Sequence, residues 1–328
     1  MKIFRLLAAS LLVAVCVGFS SCSSDEEETP IEPQNPQEYV VSIGYTGELQ
    51  ITESPLLKSE SDSRNLYAIQ IYSCSTSSQD YKFDQFGLFD DVNNMVVKLS
   101  NGYKYKFVAT MVVNGKDVIY WQDPGYSYPF TTFLDLTGEK TRVTELDNEF
   151  WHGGSSIHLG GLDKGYTALK GTFPKYYAIP NTDRYYGELT DYIPKENDNI
   201  NIYMRRAVFG VKITSDNLTE GSITAKVEDG IDIKLYYTDT EQEDIFTFRE
   251  LAAIANEKET PYKENVNLSF WWNKSDDRTV FLGSKTIEFK RNVKTTISVK
   301  VNDPDSPIKS NIIFDFETSP MKEEVIEF

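Results

Sequence analysis

The feature that most narrows the fold of this chain is a two-residue apolar period, repeated in short runs and punctuated by Gly, Asn and Pro. "NLYAIQIYSC" at 65–74 carries Leu66, Ala68 and Ile69–Ile71 among polar neighbours. "NMVVKLSNGYKYKFVATMVVNGKDVIYW" predicts strands near 95–99, 103–113 and 117–121. Asn101-Gly102 and Asn114-Gly115 supply the positive φ of tight turns, so a meander is the simplest connection. Shorter runs continue the pattern in "FTTFLDL", "SSIHLGGL" and "GTFPKYYAIPN". With 20 Tyr and 19 Phe, the chain has ample material for β cores.

A second block follows "IPKENDNIN". Strands are predicted at 202–214, 221–227 and 230–238. The period then changes: Thr247-Phe-Arg-Glu250 reads as a capping box before "LAAIANE", predicting a helix over 248–257. Strands return after Pro261 in "NLSFWW", "RTVFLG", "KTIEFKRN", "KTTISVKV" and "NIIFDFE". The expected fold class is all-β, two β-sandwiches in series with one short helix in the second. The expected domains are 39–195 and 196–328, divided near Glu196, where "PKENDN" has no apolar residue.

At the N-terminus, Lys2 and Arg5 flank an apolar stretch from Leu6 to Phe19, too short to span a bilayer, and residues 1–21 read as a secretory signal. "FSSC" at its end resembles the lipobox of bacterial lipoproteins, with Phe19 where Leu is usual and Ser21 where Gly or Ala is usual. Cys22 is then the lipidated residue. Of three cysteines, Cys16 leaves with the signal, Cys22 is acylated and Cys74 stands alone, so stability must come from burial. Each buried methylene contributes about 0.8 kcal/mol, which makes more than one acyl chain necessary for durable anchoring. Residues 22–38 form a tether whose acidic run, Asp25, Glu26, Glu27 and Glu28, has two readings. One is a solvated spacer; the other follows from likeness to the surface-export signal of lipoproteins in some anaerobic Gram-negative bacteria. A formal charge of -17 repels nucleic acid and anionic headgroups, so no nucleic-acid partner is expected.

The succession "YYGELTDYIP", "INIYMRRAVFGVKI" and "IEFKRNVKTTISVKV" resembles the fimbrillin-like lipoproteins, the superfamily of type V pilus subunits, tips and anchors. Arg206-Ala207-Val208-Phe209-Gly210-Val211 and Lys290-Arg291-Asn292 match its short motifs. "YAIQIY" with "FGLFDD" and "NGYKYKFVATMVVNGK" resembles its first domain, and the likeness extends over residues 60–305. The resemblance implies transthyretin-like or immunoglobulin-like sandwiches and a non-enzymatic role as a fimbrial stalk, tip or anchor subunit contributing to adhesion. It also implies lipid anchoring in the outer membrane with display at the cell surface, assembly with other fimbrial subunits by β-strand addition, and no cofactor. Stalk subunits of that family are cut in the first domain by a trypsin-like protease. Arg64 in "SDSRNLY" offers such a processing site, against the reading as an ordinary loop arginine. At the other end, Ile312, Phe314 and Phe316 alternate and the sequence closes on Val325, Ile326 and Phe328. That tail either completes the chain's own second sandwich or enters a sister subunit.

Residues for chemistry are sparse. His152 and His158 flank a Gly-Gly in "WHGGSSIHLGG", too few ligands for a structural zinc. No phosphate loop, nucleophile elbow or H-E-x-x-H motif occurs. "DTEQED" at 239–244 and "DPDS" at 303–306 lack the glycine and terminal glutamate of a calcium loop and read as solvated loops, so no metal is predicted. The rival to a fimbrial role is glycan capture, as the surface lipoprotein of a polysaccharide-uptake system. Trp121 with Tyr120, "GYSYPF" at 125–130, and Trp271-Trp272 are the aromatic candidates. Neighbours in a strand face opposite sides, so one of the last pair should lie outside the core; Trp121 and Trp272 are taken as the contacts for a surface ligand or glycan.

Overall fold

The structure is a computed structural model, and it describes residues 37–48, 64–123, 125–127, 129–130, 141–154, 159, 162–164, 167–168, 176–177, 179–301 and 314–321. These lie in one compact unit, Pro36–Phe328. The chain is almost all β, as its periodicity requires. In order come β1 (Glu38–Gly47), β2 (Leu66–Ser75), β3 (Lys82–Phe89), β4 (Val96–Ser100), β5 (Tyr103–Val112), β6 (Tyr120–Gln122), β7 (Gly125–Ser127), β8 (Thr141–Arg142) and β9 (Phe150–His152). They are followed by β10 (Thr167–Ala168), β11 (Tyr176–Tyr177), β12 (Arg184–Tyr192) and β13 (Asp198–Arg206).

Eight of these strands form one sheet in the order β4-β1-β13-β12-β5-β2-β3-β9. β13 turns the sheet over: residues 198–204 pair parallel with β1, while Arg205 and Arg206 pair with β12. The fold-over buries one cluster between its two halves. Val41, Ile43 and Tyr45 of β1, Val97 and Leu99 of β4, and Ile200, Ile202 and Met204 of β13 pack with Tyr67, Ile69, Phe107 and Met111 of β2 and β5. β1 was not among the strands read from sequence, although Val41, Ile43 and Tyr45 alternate cleanly.

The expected meander is not found. β4 pairs with β1, whereas β5 runs between β12 and β2. Gly102 does supply the turn, at φ 85, but it carries the chain between the two halves. There the Tyr105 hydroxyl accepts from the Ser100 N–H at 2.8 Å in place of a ladder bond. Asn114, at φ 55, opens a 3-10 turn rather than a hairpin, and β6 joins β7 and β8 in a small separate sheet.

The second sandwich comprises β14 (Val208–Thr214), β15 (Ser222–Val227), β16 (Asp232–Tyr236), β17 (Glu241–Thr247), β18 (Lys263–Asn273), β19 (Thr279–Lys290), β20 (Val293–Val299) and β21 (Phe314–Pro320). Its sheets run β17-β14-β20-β21 and β16-β15-β18-β19. Phe209 anchors the core, its ring centroid 4.5 Å from Phe289 and 4.8 Å from Phe248. The strand expected at 202–214 is in fact two. Sheet membership changes at Ala207, not at the expected limit near Glu196, because 198–206 complete the first sheet. "RTVFLG" and "KTIEFKRN" merge into the single strand β19, bulged beside Phe270, and "DTEQED" contributes to β17 rather than to a loop.

The helix, α1 (Leu251–Ala255), is shorter than expected and has no capping box. Thr247 ends β17 and gives its hydroxyl to the Thr182 carbonyl at 2.7 Å, so it is unavailable to cap anything.

Candidate functional site

The two motifs that carried the family resemblance meet in space. Arg206 ends the first sheet and Arg291 occupies the turn between β19 and β20, and the guanidinium of Arg291 donates to the Arg206 carbonyl at 3.1 Å. Asn292, left-handed at φ 58, donates its N–H to the Val208 carbonyl at 2.7 Å, and its own carbonyl accepts the Met321 N–H at 3.1 Å. The K-R-N turn therefore ties β14, β20 and the end of β21 together.

Around these motifs lies the joint between the sandwiches. Arg206 forms a two-pronged fork with Asp183, at 2.9 and 2.7 Å. Arg291 forms a second fork with Glu257, 2.8 Å on each prong, and its Nη1 reaches Glu48 at 2.6 Å. Arg205 donates to the Ala255 and Glu257 carbonyls at the end of α1, at 2.9 and 3.0 Å. Backbone bonds reinforce the contact: Ala207 N–H to Arg184, Phe248 N–H to Ala207 and Thr247 N–H to Pro180. Buried hydroxyls of Thr182 and Thr247 lie 2.7 Å apart.

The electrostatics follow from burial and pairing. Burial alone would raise the Glu257 carboxyl, but the Arg291 fork, the Tyr262 N–H and the charges of Arg291 and Arg205 together hold it below the ordinary carboxylate value. Arg184, fully buried, is lowered by desolvation to about 10. It spends its donors on Thr110 and on the Leu162 and Lys164 carbonyls, pinning residues 162–164 to the first sheet.

The residues singled out from sequence are scattered rather than gathered. Arg64 lies directly before β2 with its side chain 58 % exposed, held to Asp117 at 3.4 Å. Cys22, Asp25 to Glu28, Ile312, Phe328 and His158 lie outside the described residues. His152 is exposed on β9, and among the described residues no cluster of metal-ligating side chains occurs. Phe314 and Phe316 belong to β21, which pairs with the chain's own β20 from Val299↔Phe314 to Val293↔Pro320.

Trp121 is half-buried, edge-on to Tyr126 at 4.9 Å. Phe130 of "GYSYPF" is core, not platform. The adjacent tryptophans do face opposite ways, but the choice between them reverses: Trp272 is buried, its indole donating to the Glu220 carbonyl at 3.0 Å. Trp271 takes the outer face beside the half-exposed Phe281, with centroids 4.8 Å apart, and Lys226 lies over its ring. Parity along β18 settles this, because Val266, Leu268 and Phe270 share the inner face with Trp272.

Sequence reasoning missed Glu48, Asp183 and Glu257. Three carboxylates among 50 acidic residues carry no local signal, since only the fold brings them to the arginines.

No family model matches the chain, and no curated protein matches it. Among solved structures it is similar to the tip fimbrial protein Mfa3 of Porphyromonas gingivalis with C-terminal truncation, at 8 % identity and a TM-score of 0.36 over 87 % of this chain and 100 % of that one. It is also similar to the fimbrial anchor protein Mfa2 of Porphyromonas gingivalis, at 12 % identity and a TM-score of 0.37 over 87 % of this chain and 98 % of that one.

Proposed function

We propose that this chain is a fimbrial subunit of the cell surface, lipid-anchored in the outer membrane through Cys22 and assembling with other subunits by β-strand addition. The observation that carries the reading is the convergence of Arg206 and Lys290-Arg291-Asn292 on one joint. The residues by which the sequence resembles pilus subunits are those that hold its two sandwiches together. A part that transmits load between an anchor and a fibre needs such stiffness, and arginine donors that cross the joint supply it: Arg291 to Glu48 and to the Arg206 carbonyl, and Arg205 to the Ala255 and Glu257 carbonyls. Among the described residues β21 is an edge strand, which leaves a row of backbone groups for an added strand. The test begins at the anchor. Cells fed labelled palmitate should label the protein, and Cys22→Ala should abolish both label and membrane association; a labelled Cys22→Ala protein would sink the lipoprotein reading.

One observation favours the second reading, a surface glycan-binding protein. Trp271 and the half-exposed Phe281 share the outer face of β18 and β19, with Lys226 and Lys234 on the same face of β15 and β16. Exposed rings stack on sugar faces, and lysines pair with acidic sugars. On a glycan array, binding that vanishes in both Trp271→Ala and Phe281→Ala would favour capture over assembly. No binding by the unaltered protein would remove this reading.

A further inference from the structure

We propose that Glu48 makes the end of β1 a tie across the joint, so that the joint is fully stiff only while the Glu48 carboxylate is in place. β1 belongs to the first sandwich by its pairing with β4 and β13 and by its buried side chains. Its end, however, acts across the joint. One Glu48 carboxylate oxygen accepts the Arg206 N–H at 3.0 Å and a guanidinium N–H of Arg291 at 2.6 Å. The first donor closes the first sheet and the second belongs to the turn that ties β14, β20 and β21, so one oxygen bridges both bodies.

The placement of that oxygen is fixed rather than incidental. Gly47 has φ +93, and a Cβ there would stand 2.7 Å from the Met204 carbonyl. Only glycine lets the backbone press this closely against β13. The Glu48 N–H then bonds that same Met204 carbonyl at 2.9 Å, which aims the side chain at the arginines. Arg291 also holds Glu257, so withdrawing Glu48 removes the bridge while leaving the second sandwich's own fork intact. The consequence is selective loosening, not collapse.

Hydrogen exchange on the full chain tests this, using Glu48→Gln, which keeps the shape and removes the charge. The amides of Ala207, Phe248 and Asn292 all bond across or beside the joint. They should exchange about tenfold faster in Glu48→Gln, while Ile223 of β15 and Phe270 of β18 keep their protection. Asp183→Asn, which cuts the Arg206 fork beside the joint, shows that these amides respond to a local loss. Acceleration confined to β1 and β13 in Glu48→Gln, with the joint amides responding only to Asp183→Asn, would overturn the proposal. So would a general loss of protection reaching Ile223 and Phe270, since Glu48 would then support the fold at large.

Discussion

Arg291→Ala is the substitution that asks most of the joint. The Arg291 side chain is 8 % exposed and its partner Glu257 10 %, and the pair is joined by two bonds of 2.8 Å. Removing the guanidinium strands a buried carboxylate and takes the donor from Glu48 and from the Arg206 carbonyl. Breaking one side of a buried pair costs about 3–5 kcal/mol, a large part of the about 5–15 kcal/mol that holds a typical domain. Urea unfolding of the unit Pro36–Phe328 measures the loss directly. Glu257→Gln in the Arg291→Ala background removes the stranded charge, so the double variant should be more stable than the sum of the two single losses implies.

The same fork makes the loss pH-dependent. Glu257 has a folded pKa held below its ordinary 4.5. Its contribution is therefore complete above that ordinary value and fades as pH falls through the lowered folded value. The stability gap between the unaltered protein and Arg291→Ala should narrow in acid accordingly. An Arg291→Ala loss below about 1 kcal/mol, or additive losses in the double variant, would refute a buried, charge-dependent Arg291 cluster.

Two further outcomes follow from backbone geometry and from the tail. Gly221 has φ +67 and a Cβ there would fall 1.9 Å from the Asn273 carbonyl, whereas Gly102, at φ +85, faces open space; Gly221→Ala should cost about 2–5 kcal/mol in a thermal melt and Gly102→Ala about 1–2 kcal/mol, and equal losses would show that the close approach does not matter. Deleting residues 322–328 should leave a folded monomer that no longer joins higher-order species in detergent extracts; the cut falls after Met321 because Pro320 pairs with Val293 and Met321 bonds Asn292, and a truncated protein that assembles normally rules out strand donation by that end.

The all-β class was legible because alternation is local, but pairing partners were not. β2 and β5 are covered on both sides: Leu66, Ala68, Val108 and Val112 face the core shared with the second sandwich, while Tyr67, Ile69, Phe107 and Met111 face the first. Double coverage makes their apolar runs nearly continuous, so the pattern marks them as strands without saying which face meets which core. The parallel pairs β1–β13 and β14–β20 join segments far apart in sequence, and no turn residue announces them. The glycine signals at 101–102 and 114–115 are true turns, yet a turn fixes local φ and says nothing about whether the strands it joins will pair.

Ala207 shows why the strand read as 202–214 had to break where it does. Arg206 must remain in the first sheet to reach Asp183, and Val208 must begin the second to pair with Thr247. The residue between has one position in which to change sheets, and it is fully buried with its N–H given to Arg184 and its carbonyl accepting from Phe248. A small side chain suits that position because both backbone groups are already committed across the joint and the surrounding space belongs to the core. Apolar periodicity runs straight through it, since burial continues from one sandwich into the next. What changes at Ala207 is the hydrogen-bonding partner, and partners are decided by acids and carbonyls that lie elsewhere in the chain.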